Sequence, residues 1–99
     1  MIINEKIDGS SFTYEIEGRL DTVTSPALEA KLGEAYPKAT ELILDFKGLD
    51  YISSAGLRVL LASQKVMNKQ GKMILKNVKE AVMEVFEITG FLDILTIEK

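Results

Sequence analysis

Two adjacent hydroxyl groups, on Ser53 and Ser54, stand directly before a strongly apolar helical segment. A serine at a helix start often acts as the N-cap, because its side-chain oxygen can accept a hydrogen bond from an unpaired backbone N–H of the first turn. The same position also exposes a hydroxyl that another protein could modify. The residue types alone leave both interpretations open, a capping serine and a modified serine.

No catalytic machinery accompanies these serines in the sequence. The chain contains no histidine, and the nearby Arg58 cannot act as a base because its guanidinium stays protonated. A Ser–Lys pair would need Lys47 or Lys76, and no spacing selects either lysine. We therefore predict that the chain has no catalytic residue and is not an enzyme.

The composition also gives no indication of a metal or cofactor. Without cysteine and histidine, the chain cannot form disulfides or thiolate metal sites and lacks the commonest metal ligand. Gly48 and Gly56 do not form the Gly-x-x-x-x-Gly-Lys-Ser/Thr loop that binds nucleotide phosphates. Asp45 and Asp50 could bind a divalent ion, although acids at strand ends and in loops are usually solvated or capping. We predict no metal and no cofactor.

Length and charge indicate one small domain and argue against nucleic acid as its partner. The 99 residues predict a single domain spanning residues 1–99. No apolar run approaches the roughly 20 residues that cross a bilayer, and no signal peptide is recognisable, so we expect a cytoplasmic protein without membrane insertion.

The net charge of −3 argues against nucleic-acid binding. Residues 1–50 carry 10 acidic against 5 basic side chains, whereas residues 51–99 carry 5 against 7. This asymmetry reflects either ordinary solvated faces or a polarised surface that steers a protein partner.

The elements that position the two serines follow from hydrophobic periodicity. The pattern predicts a β-hairpin and then three αβ units, which is an α/β fold with a mostly parallel sheet and helices packed mainly on one face. Strands are predicted at residues 1–7, 12–17, 41–46, 72–76 and 94–97, helices at 25–36, 54–70 and 79–89, and a loop at 18–24.

Side-chain orientations follow from the same periodicity. Ser25 is predicted to cap the first helix, with Pro26 at its first position. The buried faces of the three helices are predicted to be formed by Leu28, Leu32 and Ala35, by Leu57, Leu60, Leu61, Gln64 and Met67, and by Val82, Val85, Phe86 and Thr89. The outward face of the second helix is predicted to carry Arg58, Ala62, Lys65 and Lys69, flanked by Val59 and Val66.

The segment Asp50–Leu61, DYISSAGLRVLL, closely resembles the phosphoacceptor segment of the STAS domain of bacterial anti-sigma factor antagonists. Other parts of the chain are similar to that family in matching order: Gly18–Asp21 (GRLD), Leu42–Phe46 (LILDF) and Phe86–Leu92 (FEITGFL). Matched residue by residue, the family's phosphoacceptor is Ser54. Ser53 stands where the best-known members carry Asp. Members often continue beyond the position of Lys99 into a further helix, so we expect one edge or face to be less covered here.

The resemblance implies a single-domain STAS fold and a regulatory function. The implied partner is an anti-sigma factor with serine kinase activity, which binds the unmodified domain, releases its sigma factor and switches the domain off by phosphorylating Ser54. A serine phosphatase would reverse the switch. The predicted partner-binding residues are Asp21, Ser53, Gly56, Arg58 and Val59, where Asp21 could equally be an ordinary loop residue. The alternative is a non-switching STAS scaffold in a regulatory or transport complex, in which Ser54 only caps a helix.

Overall fold

The computed structural model describes residues 1–98. In this part of the chain, a four-stranded mixed sheet with the order β1-β2-β3-β4 carries three α-helices and a short 3-10 helix. The elements are β1 (Ile2–Asp8), β2 (Ser11–Leu20), α1 (Ser25–Ala35), β3 (Glu41–Ile52), α2 (Ser54–Gln70), β4 (Lys72–Lys76), α3 (Glu80–Thr89) and the 3-10 helix Phe91–Asp93. Strand β1 is antiparallel to β2, and β2, β3 and β4 are parallel, which confirms the predicted α/β architecture.

One face of the sheet supplies the core. Along β2, Phe12, Tyr14 and Ile16 are buried, and the alternating residues on the other face are half-buried or exposed. Strands β3 and β4 follow the same period of two. Both crossovers between parallel strands step in the same direction across the sheet, so right-handed connections place their helices on the same face. The predicted packing of helices mainly on one face is confirmed by the single cluster that joins the buried residues of sheet and helices.

The central strands are longer than predicted. Strand β2 continues to Leu20 instead of entering a loop at Gly18, and β3 continues to Ile52 instead of ending at Phe46. Two irregularities in the β2–β3 register, between Glu15 and Glu17 and between Gly18 and Arg19, accommodate the extra residues. Because glycines and charged residues lie inside these strands, the sequence pattern did not show that the strands continue. Leu49 and Ile52 are nevertheless buried in the added part of β3.

The helix starts differ from the predicted caps. Thr24 is the N-cap of α1, so the prediction for Ser25 was wrong by one residue; Ser25 is the first helical residue and is buried. Ser53 is the N-cap of α2, but its side chain makes no capping hydrogen bond. The Oγ atoms of Ser25 and Ser53 are buried without a hydrogen-bond partner among the described residues. These serines therefore do not supply the capping interaction that the sequence suggested.

Helix α2 buries nearly the face that was predicted. Leu57, Leu60, Gln64 and Met67 are buried, whereas Leu61 is half-buried. Val59 and Ser63 are buried in addition, because α2 is covered by β-strands on one side and contacted by α1 on the next. The predicted outward residues Arg58, Ala62, Lys65 and Lys69 are exposed.

The C-terminal part differs from the prediction at the last strand and at Thr89. Gly90 adopts the left-handed conformation at φ 79° and ends α3. The predicted strand at residues 94–97 does not form; a 3-10 helix follows Gly90, and only an isolated bridge joins Ile97 to Leu75. The prediction that Thr89 faces inward was also wrong, since Thr89 is exposed and its hydroxyl donates to the Val85 carbonyl at 2.7 Å. Val85 is half-buried.

Candidate functional site

The Asp21 loop and the two serines lie together at the carboxyl ends of the central strands β2 and β3. Strands β2 and β3 are parallel neighbours that end in the same register, with Leu20 opposite Ile52. Asp21 and Ser53 directly follow these two residues, and the Ser53 backbone N–H donates to the Leu20 carbonyl at 2.9 Å. The candidate site is therefore the surface where the loop after β2 meets the first turn of α2.

Burial separates the two adjacent hydroxyls. Ser54 is the first residue of α2 and is exposed, whereas Ser53 is half-buried and its Oγ is enclosed. A modifying enzyme must bring its donor group within bonding distance of the hydroxyl oxygen. Ser54 can meet that requirement from solvent, and Ser53 can meet it only after a local rearrangement.

Asp21 is fixed by hydrogen bonds within its own loop. Its Oδ1 accepts from the backbone N–H groups of Val23 at 3.0 Å and Thr24 at 3.1 Å. The Thr24 hydroxyl accepts from the Asp21 N–H at 2.9 Å and donates to the Arg19 carbonyl at 2.7 Å. The bond from the Thr24 N–H, with that from Val23, lowers the pKa of the Asp21 carboxyl below its ordinary value of 3.8. Asp21 is thus an ionised residue that shapes the loop, whatever else it contacts.

Arg19 and Tyr51 also lie at this end of the central strands, and neither was predicted to be a site residue. They face each other in the β2–β3 register, with the Arg19 guanidinium carbon 4.1 Å from the centre of the Tyr51 ring. The Arg19 Nε lies 3.8 Å from Asp21 Oδ2. Because residues 18–24 were predicted to be a loop, the pairing of Arg19 with a residue on β3 could not be foreseen.

Three predicted residues of α2 occupy different environments. Arg58 is exposed, but Gly56 is buried and Val59 is only 5% exposed. A Cβ on Gly56 would lie 2.8 Å from side-chain atoms of Leu20 and Ile52, so this position allows the first turn to pack directly on the strand ends. Gly56 and Val59 therefore support the surface from below and present little side chain to a partner.

A shallow groove of about 250 Å³ lies between α1 and the start of α2, next to Ala55. Val59 forms part of it, and Arg58 and Glu29 bring charges of opposite sign to it. Its lining residues are Thr22, Ser25, Pro26, Glu29, Ala55, Arg58 and Val59. A second depression, of about 360 Å³, opens around Glu15, Glu17 and Asp45 of β2 and β3 and includes none of the predicted site residues.

The acids considered as metal ligands contact protein donors instead. Asp50 Oδ1 is 2.6 Å from Lys79 Nζ, and Asp45 Oδ1 accepts from the Lys47 backbone N–H and from Asn77 Nδ2. Within residues 1–98, no group of three acidic side chains is arranged to hold a metal ion. No helix in the same range is long and apolar enough to cross a membrane.

Comparison with known proteins finds a matching family model and similar relatives. The family model of the STAS domain matches residues 2–99. The chain is 41% identical over 95 residues to BtrV of Bordetella bronchiseptica, a candidate anti-sigma factor antagonist, covering 94% of this chain and 81% of BtrV. It is 30% identical over 96 residues to the anti-sigma-B factor antagonist of Bacillus subtilis, covering 96% and 88%.

The fold is also similar to solved structures of the anti-sigma factor antagonist SpoIIAA of Bacillus. The unphosphorylated form superposes with a TM-score of 0.84 at 20% identity, covering 99% of this chain and 89% of SpoIIAA. The phosphorylated form gives a TM-score of 0.78 over 99% and 92% of the two chains, at 20% identity.

Proposed function

The chain belongs to the STAS domain family, and we propose that it is an anti-sigma factor antagonist controlled by phosphorylation of Ser54. In this proposal the unphosphorylated form binds an anti-sigma factor with serine kinase activity and thereby frees a sigma factor. Phosphate on Ser54 abolishes binding, and a serine phosphatase restores it. The relatives named above support the antagonist function, and the exposed Ser54 beside the Asp21 loop is the observation that supports the switch.

The site fits a protein interface better than a reaction centre. Ser54 has no histidine to activate it, since the chain contains none. The surface around it carries an exposed guanidinium, a shallow groove and an acidic loop, which are features that a partner protein can contact. We infer that the chain acts in the cytoplasm by binding and not by catalysis, and that the kinase and phosphatase activities belong to its partners.

Phosphorylation would change the interface by an electrostatic route. It adds a charge of about −1.5 to −2 at the first residue of α2. The exposed side chain needs no rearrangement to carry this charge in the free protein. In a complex the phosphate would lose water and enter the partner's field, and a buried charge that the partner does not compensate costs several kcal/mol. The fold is unaffected in this proposal while the complex is lost.

The proposal is tested with the kinase-like anti-sigma factor encoded nearest to this gene. The two purified proteins are mixed with and without ATP, complex formation is measured, and the modified residue is located by mass spectrometry. The proposal predicts a complex without ATP, and phosphate on Ser54 with release of the complex when ATP is added. Stable binding with no phosphate on the chain would instead favour the non-switching scaffold, in which Ser54 serves only as a structural residue at the start of α2.

A further inference from the structure

We propose that a phosphate on Ser54 is bound by the guanidinium of Arg58, so that modification also withdraws this cation from the partner. The phosphate itself rests on the proposed function. The pairing with Arg58 is a separate step, which follows from the position and the surroundings of the two side chains on α2. It would make the switch act twice on the same helical turn, by adding an anion and by occupying a cation.

The spacing of the two residues suits a direct contact. Ser54 and Arg58 are four residues apart on α2, and both are exposed. Side chains at i and i+4 lie on the same side of a helix with Cβ atoms about 5–6 Å apart. An acidic group N-terminal to a basic one is the more favourable order for such a pair. A phosphoserine at position 54 would therefore lie within reach of the Arg58 fork without any movement of the backbone.

Arg58 is available for this contact, unlike the other arginine at the site. Arg19 is placed between Asp21 and the Tyr51 ring. Arg58 makes no ion pair with any carboxylate of residues 1–98. Glu29 lines the same groove, but its carboxylate is not within ion-pair distance of Arg58.

The other charged groups at this end of the sheet do not offer an equivalent partner to Arg58 or to the phosphate. The Asp21 Oδ1 accepts bonds from its own loop, and Asp50 is paired with Lys79. The next basic residue on α2 is Lys65, eleven residues beyond Ser54 and therefore about 16 Å away along the helix axis. At physiological ionic strength the screening length is about 8 Å, so Lys65 would contribute little to the phosphate.

The chemistry of the two groups favours a close pair. A guanidinium presents planar N–H donors that match two phosphate oxygens, and charge-assisted bonds of this kind are about twice as strong as neutral ones. In the unmodified protein, the exposed Arg58 has no such partner and can contact another protein. In the phosphorylated protein its donors would face the chain's own phosphate. The partner would then meet an anion and lose a cation at one position.

The test is a ³¹P NMR titration of the full chain with phosphoserine inserted genetically at position 54. Since a bound guanidinium favours the dianion, the pair lowers the second pKa of the phosphate. Arg58→Gln should raise that pKa by about 0.5 relative to the protein with Arg58. Arg58→Lys should retain part of the effect, because it keeps the charge but not the fork. Lys65→Gln removes an equal charge from the same helix face and should leave the pKa unchanged.

Equal phosphate pKa values with Arg58 and with Arg58→Gln would overturn the pairing. So would an equal rise for Arg58→Gln and Lys65→Gln, which would indicate only a general field from the helix. Because the phosphoserine is introduced without a kinase, these results do not depend on the proposed function. Failure of a kinase to modify Ser54 would remove the biological switch, whereas failure of the titration would remove only the role of Arg58.

Discussion

At the scale of single residues, burial distinguishes two hydroxyls that are adjacent in the sequence. Ser54 is exposed, whereas the Ser53 Oγ is enclosed at the N-cap. We predict that Ser53→Ala still takes up phosphate from the kinase and that Ser54→Ala does not. Intact-mass measurement after incubation with ATP gives the answer directly. Phosphate uptake by Ser54→Ala but not by Ser53→Ala would show that the acceptor is the enclosed serine.

Asp21 gives a prediction about pH at the same scale. Hydrogen bonds from the Thr24 and Val23 N–H groups hold its pKa below the ordinary value of 3.8. A carboxyl with a lowered folded-state pKa stabilises the fold above its unfolded pKa, and this contribution is lost as the pH falls through the folded pKa. Asp21→Asn should therefore lower Tm at neutral pH.

The difference in Tm between Asp21→Asn and the unchanged protein should shrink below pH 3.8. Once the pH is below the folded-state pKa of Asp21, both side chains are neutral, and the two melting curves should nearly coincide. A constant difference across the whole range would mean that the charge of Asp21 contributes nothing and that only the shape of the side chain matters.

At the scale of elements, the first turn of α2 combines the proposed contact surface with close packing on the strand ends. We predict that Arg58→Glu weakens binding of the unphosphorylated protein to its anti-sigma factor by about tenfold or more, because it reverses an exposed charge in the proposed interface. Tm should not fall, since an acidic residue near a helix N-terminus is tolerated or slightly favourable. Lys69→Glu makes the same charge change in the last turn of α2 and serves as the control.

The Arg58 prediction is checked by titration calorimetry on the three proteins. Equal affinities for Arg58→Glu and the unchanged protein would remove Arg58 from the interface. A matching loss in Lys69→Glu would indicate long-range charge effects in place of a contact at the first turn.

Two glycine substitutions test how closely the first turn of α2 packs on the ends of β2 and β3. Gly56→Ala should destabilise the fold by about 1–2 kcal/mol, because the new Cβ would lie 2.8 Å from Leu20 and Ile52 atoms, while the gain in helix propensity offsets part of the cost. Gly33→Ala in α1 has no neighbouring atom within 4 Å and should stabilise by about 0.5–1 kcal/mol. Urea unfolding measures both changes. A stabilising Gly56→Ala would mean that the helix and strand ends can separate without loss.

At the scale of the whole molecule, the sequence predicted the layered α/β architecture because its signals are periodic. The alternation of Phe12, Tyr14 and Ile16 specifies a sheet with one buried face, and the apolar positions of α2 specify its packed side. These patterns depend on local spacing alone. The position of Ser54 at the first turn of α2 was predictable for the same reason.

What the sequence did not predict depends on contacts between distant segments. The continuation of β2 and β3 past Gly18 and Gly48 requires register shifts that only the paired strands reveal. The contact of Arg19 with Tyr51 follows from that pairing. Likewise, residues 94–97 have strand-like composition, but beside β4 they form only an isolated bridge at Ile97.

The central claim is that phosphorylation of Ser54 blocks an interface without changing the fold. At the start of α2 the added charge meets unpaired N–H groups, an interaction worth about 0.3–1 kcal/mol and up to about 2 when partly buried, so the free domain should be as stable as before or slightly more stable. The cost appears in the complex, where desolvating the phosphate should reduce affinity by about two to three orders of magnitude.

The most direct test is to measure Tm and the affinity for the anti-sigma factor on the same preparations of phosphorylated and unphosphorylated protein. We expect an unchanged or slightly higher Tm together with a loss of binding of about a hundredfold to a thousandfold. Backbone NMR shifts should change only near the loop after β2 and the first turn of α2. A large fall in Tm, or shift changes spread over the whole sheet, would contradict the account and show that the switch acts by refolding.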